Sequence, residues 1–330
     1  MMQDRKGILI TGGAGYIGSH TMLALTDVGE RVVILDDLSA GAPAAELEPA
    51  TFVQGNISDA VLVRQLIRDH DIDTVLHFAG FILVDESVRD PEKYFKNNTE
   101  NTRIIAEAAA EEGIVNFVFS SSAAVYGAPT RVPISEDDTV APITPYGESK
   151  ARAERIINDL SDSGAFSSVL LRYFNPAGAD PRGRSGYRLN RRPTHLVPVA
   201  VKAALEHQPF TINGIDYPTK DGTCIRDYIH ISDLADAHIA ALAYMRDGGK
   251  TRVFNCGDGH GSSVREVITA IEKSTGEPME IQTGSRRPGD PPALIADSSR
   301  FMHETGWKPR YGLDEIVRDE IAWKKRNSNG

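Results

Sequence analysis

The feature that most constrains this chain is a turn. Directly after the apolar run Gly7–Thr11 (GILIT) comes Gly12-Gly13-Ala14-Gly15-Tyr16-Ile17-Gly18, with glycines at 12, 15 and 18. The following stretch Tyr16–Val28 carries Ile17, Leu23 and Leu25 at helical spacing, so the glycines lie between a strand and a helix. Missing side chains there let the chain turn tightly and let the helix N-terminus approach an anion. Free amides and the positive end of the helix dipole then attract a pyrophosphate. A glycine-rich turn without a ligand is the plainer alternative. Asp36, which ends the next run Arg31–Asp36 (RVVILD), decides against it. Its carboxylate can accept bonds from a ribose diol and would repel a 2'-phosphate, which selects NAD over NADP. Asp37 is either an alternative partner for the ribose or a turn residue.

The same alternation continues. Strand-like Thr51–Gln54, Thr74–Phe78, Asn116–Ser120 and Ser168–Tyr173 are separated by helix-like Ala60–His70, Pro91–Glu112 and Pro145–Leu160. β-branched apolar runs between helices predict an α/β fold with a doubly wound parallel sheet, the Rossmann type. After Asn175 the pattern changes to a Gly-, Pro- and Arg-rich stretch. Helix-like Val197–Gln208, Asp233–Arg246, Val264–Thr275 and Leu313–Lys325 follow, with strands Thr211–Asn213 and Thr251–Cys256. We therefore expect an NAD-binding domain over residues 1–176. A smaller, interleaved α+β lobe over 177–330 would bind substrate, with segments such as 227–247 returning to the first domain.

Charge and cysteine content narrow the partners. A formal net charge of -10 repels nucleic acid and anionic membranes. Cys224 and Cys256 have no metal or redox spacing, which suits a reducing cytoplasm. The polar start Met1–Lys6 does not read as a signal peptide, and no apolar run reaches the roughly 20 residues needed to cross a bilayer. No metal site is expected.

Chemistry is suggested by Tyr146-Gly147-Glu148-Ser149-Lys150. Thr144 suits an N-cap and Pro145 the first helical position, so Tyr146 and Lys150 share one face of a helix. A phenol of pKa near 10 must drop by about three units to act as a base near neutrality, which is worth about 4 kcal/mol. A cation about 5 Å away contributes roughly 3 kcal/mol at an effective dielectric of about 20. A surface helix pair is the bland alternative. Against it stands Ser120-Ser121-Ser122 at the end of a strand, where ligands bind in such sheets. Ser122 can bond a reacting oxygen there and relay its proton.

Taken together these residues resemble the extended short-chain dehydrogenase/reductase family, and within it the UDP-glucose (UDP-galactose) 4-epimerases. The likeness runs through TGGAGYIGSH at 11–20, HFAG at 77–80, SSSAAVYG at 120–127, PYGESK at 145–150 and LRYFNPAGA at 171–179. It continues through DGTCIRDYIHISDLADAH at 221–238 and RRPGDPPALIAD at 286–297. The resemblance implies an NAD-dependent isomerase that epimerises carbon 4 of a UDP-hexose through a transient 4-keto sugar. Ser122 and Tyr146 would do the proton work, and Lys150 would tune Tyr146 and hold a ribose. Cofactor-lining positions would be Gly12, Gly15, Tyr16, Ile17, Gly18, Asp36, Asp37, Leu38, Ser39, Asn56, Ile57, Phe78, Ala79, Gly80, Asn97, Ser120, Tyr173 and Phe174. The UDP-sugar site would add Asn175, His195, Leu196, Thr211, Ile212, Asn213, Arg226, Arg287, Asp290 and Leu294. Arg226 and Arg287 would meet the diphosphate. A homodimer through two helices of the first domain is also implied.

Several positions depart from the family's commonest pattern. Asn56 stands for an aspartate, Ile82 for a lysine, Asp85 for a glycine and His195 for an asparagine. Leu294, at the position resembling a gate for the sugar 2-substituent, is smaller than the tyrosine that excludes N-acetyl groups and bulkier than the serine or cysteine that admits them. UDP-N-acetylhexosamine and UDP-pentose therefore remain alternative substrates. A nucleotide-sugar dehydratase would need an acidic residue just after Ser122, where Ala123 and Ala124 stand. A non-catalytic NAD-binding protein has no need of Ser122, Tyr146 and Lys150 together. Arg182, Arg184, Arg188, Arg191 and Arg192 crowd one loop, read as solvated. His20, His77, His230 and His238 lack chelating spacing and read as structural.

Overall fold

Short apolar runs become strands and the segments between them become helices. The computed structural model describes residues 6–39, 47–188, 195–287 and 289–327. The first half runs β1 (Gly7–Thr11), α1 (Tyr16–Asp27), β2 (Arg31–Asp36), β3 (Thr51–Gln54), α2 (Ala60–Asp69), β4 (Ile72–His77), α3 (Val84–Arg89), α4 (Pro91–Tyr94), α5 (Asn101–Glu111), β5 (Asn116–Ser122), α6 (Pro145–Asp162) and β6 (Ser167–Tyr173). The second runs β7 (Asn175–Ala177), α7 (Leu196–Leu205), β8 (Phe210–Asn213), β9 (Ile225–His230), α8 (Ile231–Arg246), β10 (Arg252–Cys256), β11 (Gly261–Ser263), α9 (Val264–Thr275), β12 (Ile281–Gly284), β13 (Ala293–Leu294), α10 (Ser299–Thr305) and α11 (Leu313–Asn327).

Seven strands form one parallel sheet in the order β10–β6–β5–β4–β1–β2–β3. The chain winds outward from β1 in both directions, as expected for the doubly wound α/β class, and the crevice of such a sheet lies at the C-terminal ends of the adjacent β1 and β4, whose connections leave in opposite directions. Both faces are covered, which is why β1 and β2 read as unbroken apolar runs. Ile8 and Ile10 pack with Met22, Leu25 and Leu234 on the side of α1 and α8. Leu9, between them, packs with Val63, Ile105 and Ile157 of α2, α5 and α6.

The smaller sheets hold the other side of the crevice. β9 lies between β11 and β13 and also pairs with β7, while β8 pairs with β12 in parallel. Val201, Val267, Ile271 and Ile316 join α7, α9 and α11 in a separate core. After β9 the chain returns through α8 to add β10 to the edge of the large sheet, beside β6. No described helix is long and apolar enough to cross a membrane.

Three local expectations are corrected. The helix expected over Pro91–Glu112 is α4, a π-helical segment Phe95–Glu100, and α5. The wide turn uses the side chain of Asn98, which accepts from Phe81 N–H at 2.8 Å and donates to the Phe81 carbonyl at 2.9 Å. The chain after β4 is thereby fastened to the helix. Strand β9, at Ile225–His230, was hidden because Arg226, Asp227 and His230 are all buried polar residues. Helix α3 was also unexpected. Asp85 stands in its first turn, where a carboxylate complements the helix dipole.

Candidate functional site

The strand ends carry the expected groups to one crevice. Gly12 follows β1 with a φ of +70°, and a Cβ added there would lie 2.5 Å from the Ala79 backbone nitrogen. Only glycine permits that approach of the loops after β1 and β4. A Cβ on Gly18 would lie 2.4 Å from the Gly12 carbonyl. Helix α1 therefore sits directly on the glycine turn, and no side chain caps its N-terminus. Phe78 and Ala79 donate their N–H groups to the Thr11 carbonyl at 3.0 and 3.1 Å, so Phe78, Ala79 and Gly80 flank this turn.

Asp36 ends β2 facing the turn. Its carboxylate accepts from Ala14 N–H at 3.0 Å and Leu38 N–H at 2.8 Å. Burial pushes its carboxyl up, and these two bonds pull it back down. Each oxygen retains acceptor capacity for a diol. The Leu38 bond helps hold that residue at φ 59°, an uncommon conformation for a side-chain-bearing residue. Asp37 accepts from Ser39 N–H at 2.9 Å and from the Asn56 side-chain amide at 3.1 Å. Asn56 thus substitutes for a carboxylate without a like-charge clash. Ile57 beside it is buried, while Ile82 is half exposed. The uncapped helix end, the glycine-only approach and this acidic strand end fit NAD.

The candidate reacting groups come from α6 and β5. Thr144 caps α6 through its side chain, which accepts from Gly147 N–H at 3.1 Å, and Pro145 opens the helix as expected. Tyr146 sits in the first turn, edge-on to Tyr94 with ring centroids 6.4 Å apart. Burial raises its phenol above the ordinary tyrosine value, and a hydrogen bond with Ser122 opposes that rise. Lys150 is buried and donates from Nζ to the Ser120 carbonyl at 2.8 Å. Burial lowers its ammonium to about 8, against the pull of Glu154 one turn on. The ammonium is turned towards the end of β5. A Cβ on Gly80 would lie 3.4 Å from that ammonium. Asn97, in the π-helical segment, donates to Asn98 at 3.1 Å.

Tyr173, at the end of β6, bonds its hydroxyl to His238 Nε2 at 2.7 Å. His238 donates from Nδ1 to the Leu234 carbonyl at 2.8 Å, so Nε2 accepts from the phenol. Burial holds this imidazole down at about 4 and therefore neutral. Phe78 packs on the same ring at 4.8 Å, and Phe174 follows in the chain. Tyr16 and Ile17 start α1, and the Tyr16 hydroxyl donates to the Gly178 carbonyl.

The opposite wall is the smaller lobe. Asn175 donates from its side chain to the Asp227 carbonyl at 3.1 Å, tying β7 to β9. Arg226, on β9, bonds to Asp290 and donates to the Ile225 carbonyl at 2.6 Å. Arg287 is exposed nearby in sequence. Leu294 pairs in register with Arg226 and packs on a cluster containing Phe174, Ala123 and Tyr126. It therefore connects the residue after Ser122 with Arg226. On β8, Thr211 is exposed and Asn213 half-buried, but the Ile212 side chain belongs to the lobe's core, so only its backbone can meet a ligand. His195 stands just before α7 without a side-chain bond to the helix end, its Nδ1 lies 3.2 Å from the Tyr187 hydroxyl, and burial lowers its imidazole.

The sequence reading missed Asp227. Its fully buried carboxylate accepts from Asp258, Gly259 and Ala296 N–H groups at 2.8, 3.0 and 3.0 Å. It fastens the loop after β10 and the end of β13 to the strand bearing Arg226. Burial raises it to about 6, and the three amides oppose the rise. A charged pair inside an otherwise apolar run was the available signal.

Elsewhere, Arg182 and Arg184 pair with Asp27 at 3.1 and 2.9 Å, and Arg184 also holds Asp180. Arg188 lies 5.7 Å over the Trp323 ring. Arg191 and Arg192 lie outside the described residues. His77 bonds to the hydroxyls of Thr11 and Thr102 at 2.6 and 2.8 Å. His20 bonds to two backbone carbonyls, and His230 to Asp319.

Residues 8–257 match the NAD dependent epimerase/dehydratase family. A UDP-glucose 4-epimerase of Azospirillum brasilense is 50% identical, over 96% of this chain and 92% of that one. Among solved structures, the UDP-glucose-4-epimerase from Stenotrophomonas maltophila with bound NAD and formylated UDP-arabinopyranose superimposes with a TM-score of 0.95 at 37% identity, covering 98% of this chain and 99% of that one. The Brucella ovis UDP-glucose 4-epimerase in complex with NAD gives 0.93 at 39% identity, covering 96% and 98%. On this agreement in sequence, fold and crevice, the chain belongs to the NAD dependent epimerase/dehydratase family, in its UDP-glucose 4-epimerase branch.

Proposed function

We propose that this enzyme interconverts UDP-glucose and UDP-galactose by epimerisation at carbon 4, with NAD retained through the cycle. The observation that carries the reading is the convergence of Tyr146, Ser122 and Lys150 between the glycine turn and the strand bearing Arg226. NAD, which the glycine turn after β1 and Asp36 would hold, would supply reversible hydride exchange with carbon 4 and hence no net oxidation. The chain's own residues do the rest. Tyr146 takes the proton from the 4-hydroxyl and later gives it back. Ser122 bonds both that oxygen and the phenol, which keeps the proton path short. Lys150, as an ammonium, favours the phenolate over the phenol and bonds a ribose. Residues 1–176 hold the cofactor and most of 177–330 the UDP-sugar. Arg226 and Arg287 meet the diphosphate, with Asp290 orienting the Arg226 fork.

Elimination is disfavoured because Ala123 and Ala124 follow Ser122, leaving no acid to protonate a departing hydroxyl. The family resemblance also supports a homodimer, which sedimentation would read. The first test is incubation of the purified protein with UDP-galactose and no added NAD. UDP-glucose should accumulate to an equilibrium mixture at constant NADH absorbance; no conversion of this or other UDP-sugars would overturn the reading.

A second reading concerns the sugar 2-substituent. Leu294 leaves more room than a tyrosine beside Phe174 and Ala123, so UDP-N-acetylhexosamines are expected as additional substrates. Leu294→Tyr should lower kcat/KM for UDP-N-acetylglucosamine roughly tenfold more than for UDP-galactose. An equal loss on both substrates would end the gate assignment.

A further inference from the structure

Glu154 lies on α6 one turn beyond Lys150 and two beyond Tyr146, on the same face of that helix. The residue is buried, at 4% exposure. One carboxylate oxygen accepts from the Ser121 hydroxyl and from Arg172 Nε at 2.9 Å; the other accepts from Arg172 Nη2 at 2.6 Å. Ser121 adjoins Ser122 on β5, and Arg172 adjoins Tyr173 on β6. Arg172 is equally buried and donates from Nη1 to the Tyr126 hydroxyl at 2.9 Å. That hydroxyl donates to Asn255 at 2.7 Å, whose amide donates to the Ile134 carbonyl at 2.8 Å. Ile134 N–H in turn donates to the carbonyl of Ile295, next to Leu294. One buried carboxylate therefore sits where the reacting helix, two strand ends and the gate strand are joined.

We propose that Glu154 is a positioning residue for epimerisation: clamped by Arg172 and Ser121, its carboxylate fixes Tyr146 and Lys150 against Ser122 and supplies the negative charge that faces Lys150. This rests on the function proposed above. The groups facing Lys150 are Glu154 from its own helix, His77 from β4, and the Ser120 carbonyl and Phe119 ring from β5. His77 is held neutral by burial, at about 3. Glu154 is faced by Lys150, by Ser121 from β5, by Arg172 from β6, and by Tyr126 from the short helical turn after β5. Among these described groups Glu154 is the anion acting on Lys150. Because burial lowers Lys150 to about 8, its charge at working pH depends on that anion.

The test is Glu154→Gln, which is nearly isosteric and removes the charge. Lys150 is titrated by carbon NMR of protein carrying isotope-labelled lysine, with Lys150→Met assigning the signal. In parallel, kcat and KM for UDP-galactose are measured against pH. The Lys150 midpoint and the alkaline limb of kcat should both fall by about one unit. KM should stay within roughly twofold, and Glu154→Asp should return the limb towards its original position. A lowered kcat with an unmoved midpoint and limb would make Glu154 merely structural and overturn the proposal. Glu154→Gln leaves Arg172 buried and unpaired, which can unfold the chain. In that event Glu154→Gln with Arg172→Gln removes both charges; a smaller fall in the midpoint supports the proposal and an unmoved midpoint overturns it. Absence of conversion by the unaltered enzyme would sink the functional reading instead, leaving the NMR titration to judge Glu154.

Discussion

Tyr146→Phe is expected to lower kcat for UDP-galactose roughly a thousandfold while the purified protein still carries NAD. The two effects separate because the phenol and the cofactor cradle are built from different parts of the chain. The cradle is the glycine turn after β1 and the Asp36 carboxylate, which bonds Ala14 and Leu38. The phenol is held by α6, which Thr144 and Pro145 start. Phenylalanine keeps the ring that meets Tyr94 edge-on and removes only the oxygen, so the fold should be undisturbed. What is lost is the group that can accept and return the proton of the 4-hydroxyl. Ser122 cannot replace it, since a serine hydroxyl is far less acidic and its oxygen already accepts from Ala124 N–H at 3.2 Å. The measurements are single-turnover and steady-state rates, with NAD content from the absorbance of denatured protein. A variant that retains normal kcat would remove Tyr146 from the reaction. One that loses NAD along with activity would mean the phenol serves binding.

How much of this was legible depended on the range of the interactions. The parallel sheet could be read because β1 and β2 are covered on both faces and must be apolar at every position. The start of α6 could be read because Thr144 and Pro145 act within one turn. The π-helical segment could not, because its cause is the Asn98 amide reaching back across 17 residues to Phe81. Strand β9 was hidden for a related reason. Its alternation is disguised by Arg226, Asp227 and His230, whose partners come from Asp290, Ala296 and Asp319, far along the chain. Nor did the Tyr146–Lys150 spacing reveal that the ammonium turns to the Ser120 carbonyl. Lys150 shares a helix face with Tyr146, but a shared face leaves open which neighbour its long side chain selects. Local chemistry therefore pointed to candidate residues, while the tertiary fold decided what each one touches.

Gly18→Ala should be severely damaging, although the glycine there is not needed for its backbone conformation. Gly18 lies within α1 at an ordinary helical conformation, so no backbone strain is involved. The added carbon would instead lie 2.4 Å from the Gly12 carbonyl oxygen and 2.7 Å from Gly13 Cα. Both are backbone atoms of the glycine turn, the proposed pyrophosphate site, and neither can swing aside as a side chain would. The helix must then lift off the turn. Overpacking of this kind costs about 2 kcal/mol, and the lift also withdraws the helix N-terminus from the anion. Gly15→Ala is the instructive contrast. There the nearest atom is the Gly12 carbonyl at 3.1 Å, which needs only a small adjustment. Gly15 also stands at the N-cap, where a methyl group would intrude on the ligand more than on the fold. Denaturant unfolding and NAD titration of the two variants should therefore diverge. Gly18→Ala should lose both stability and cofactor, and Gly15→Ala chiefly cofactor. Equal stability losses in the two would mean that the close seating of α1 on its turn is not what makes glycine necessary at position 18.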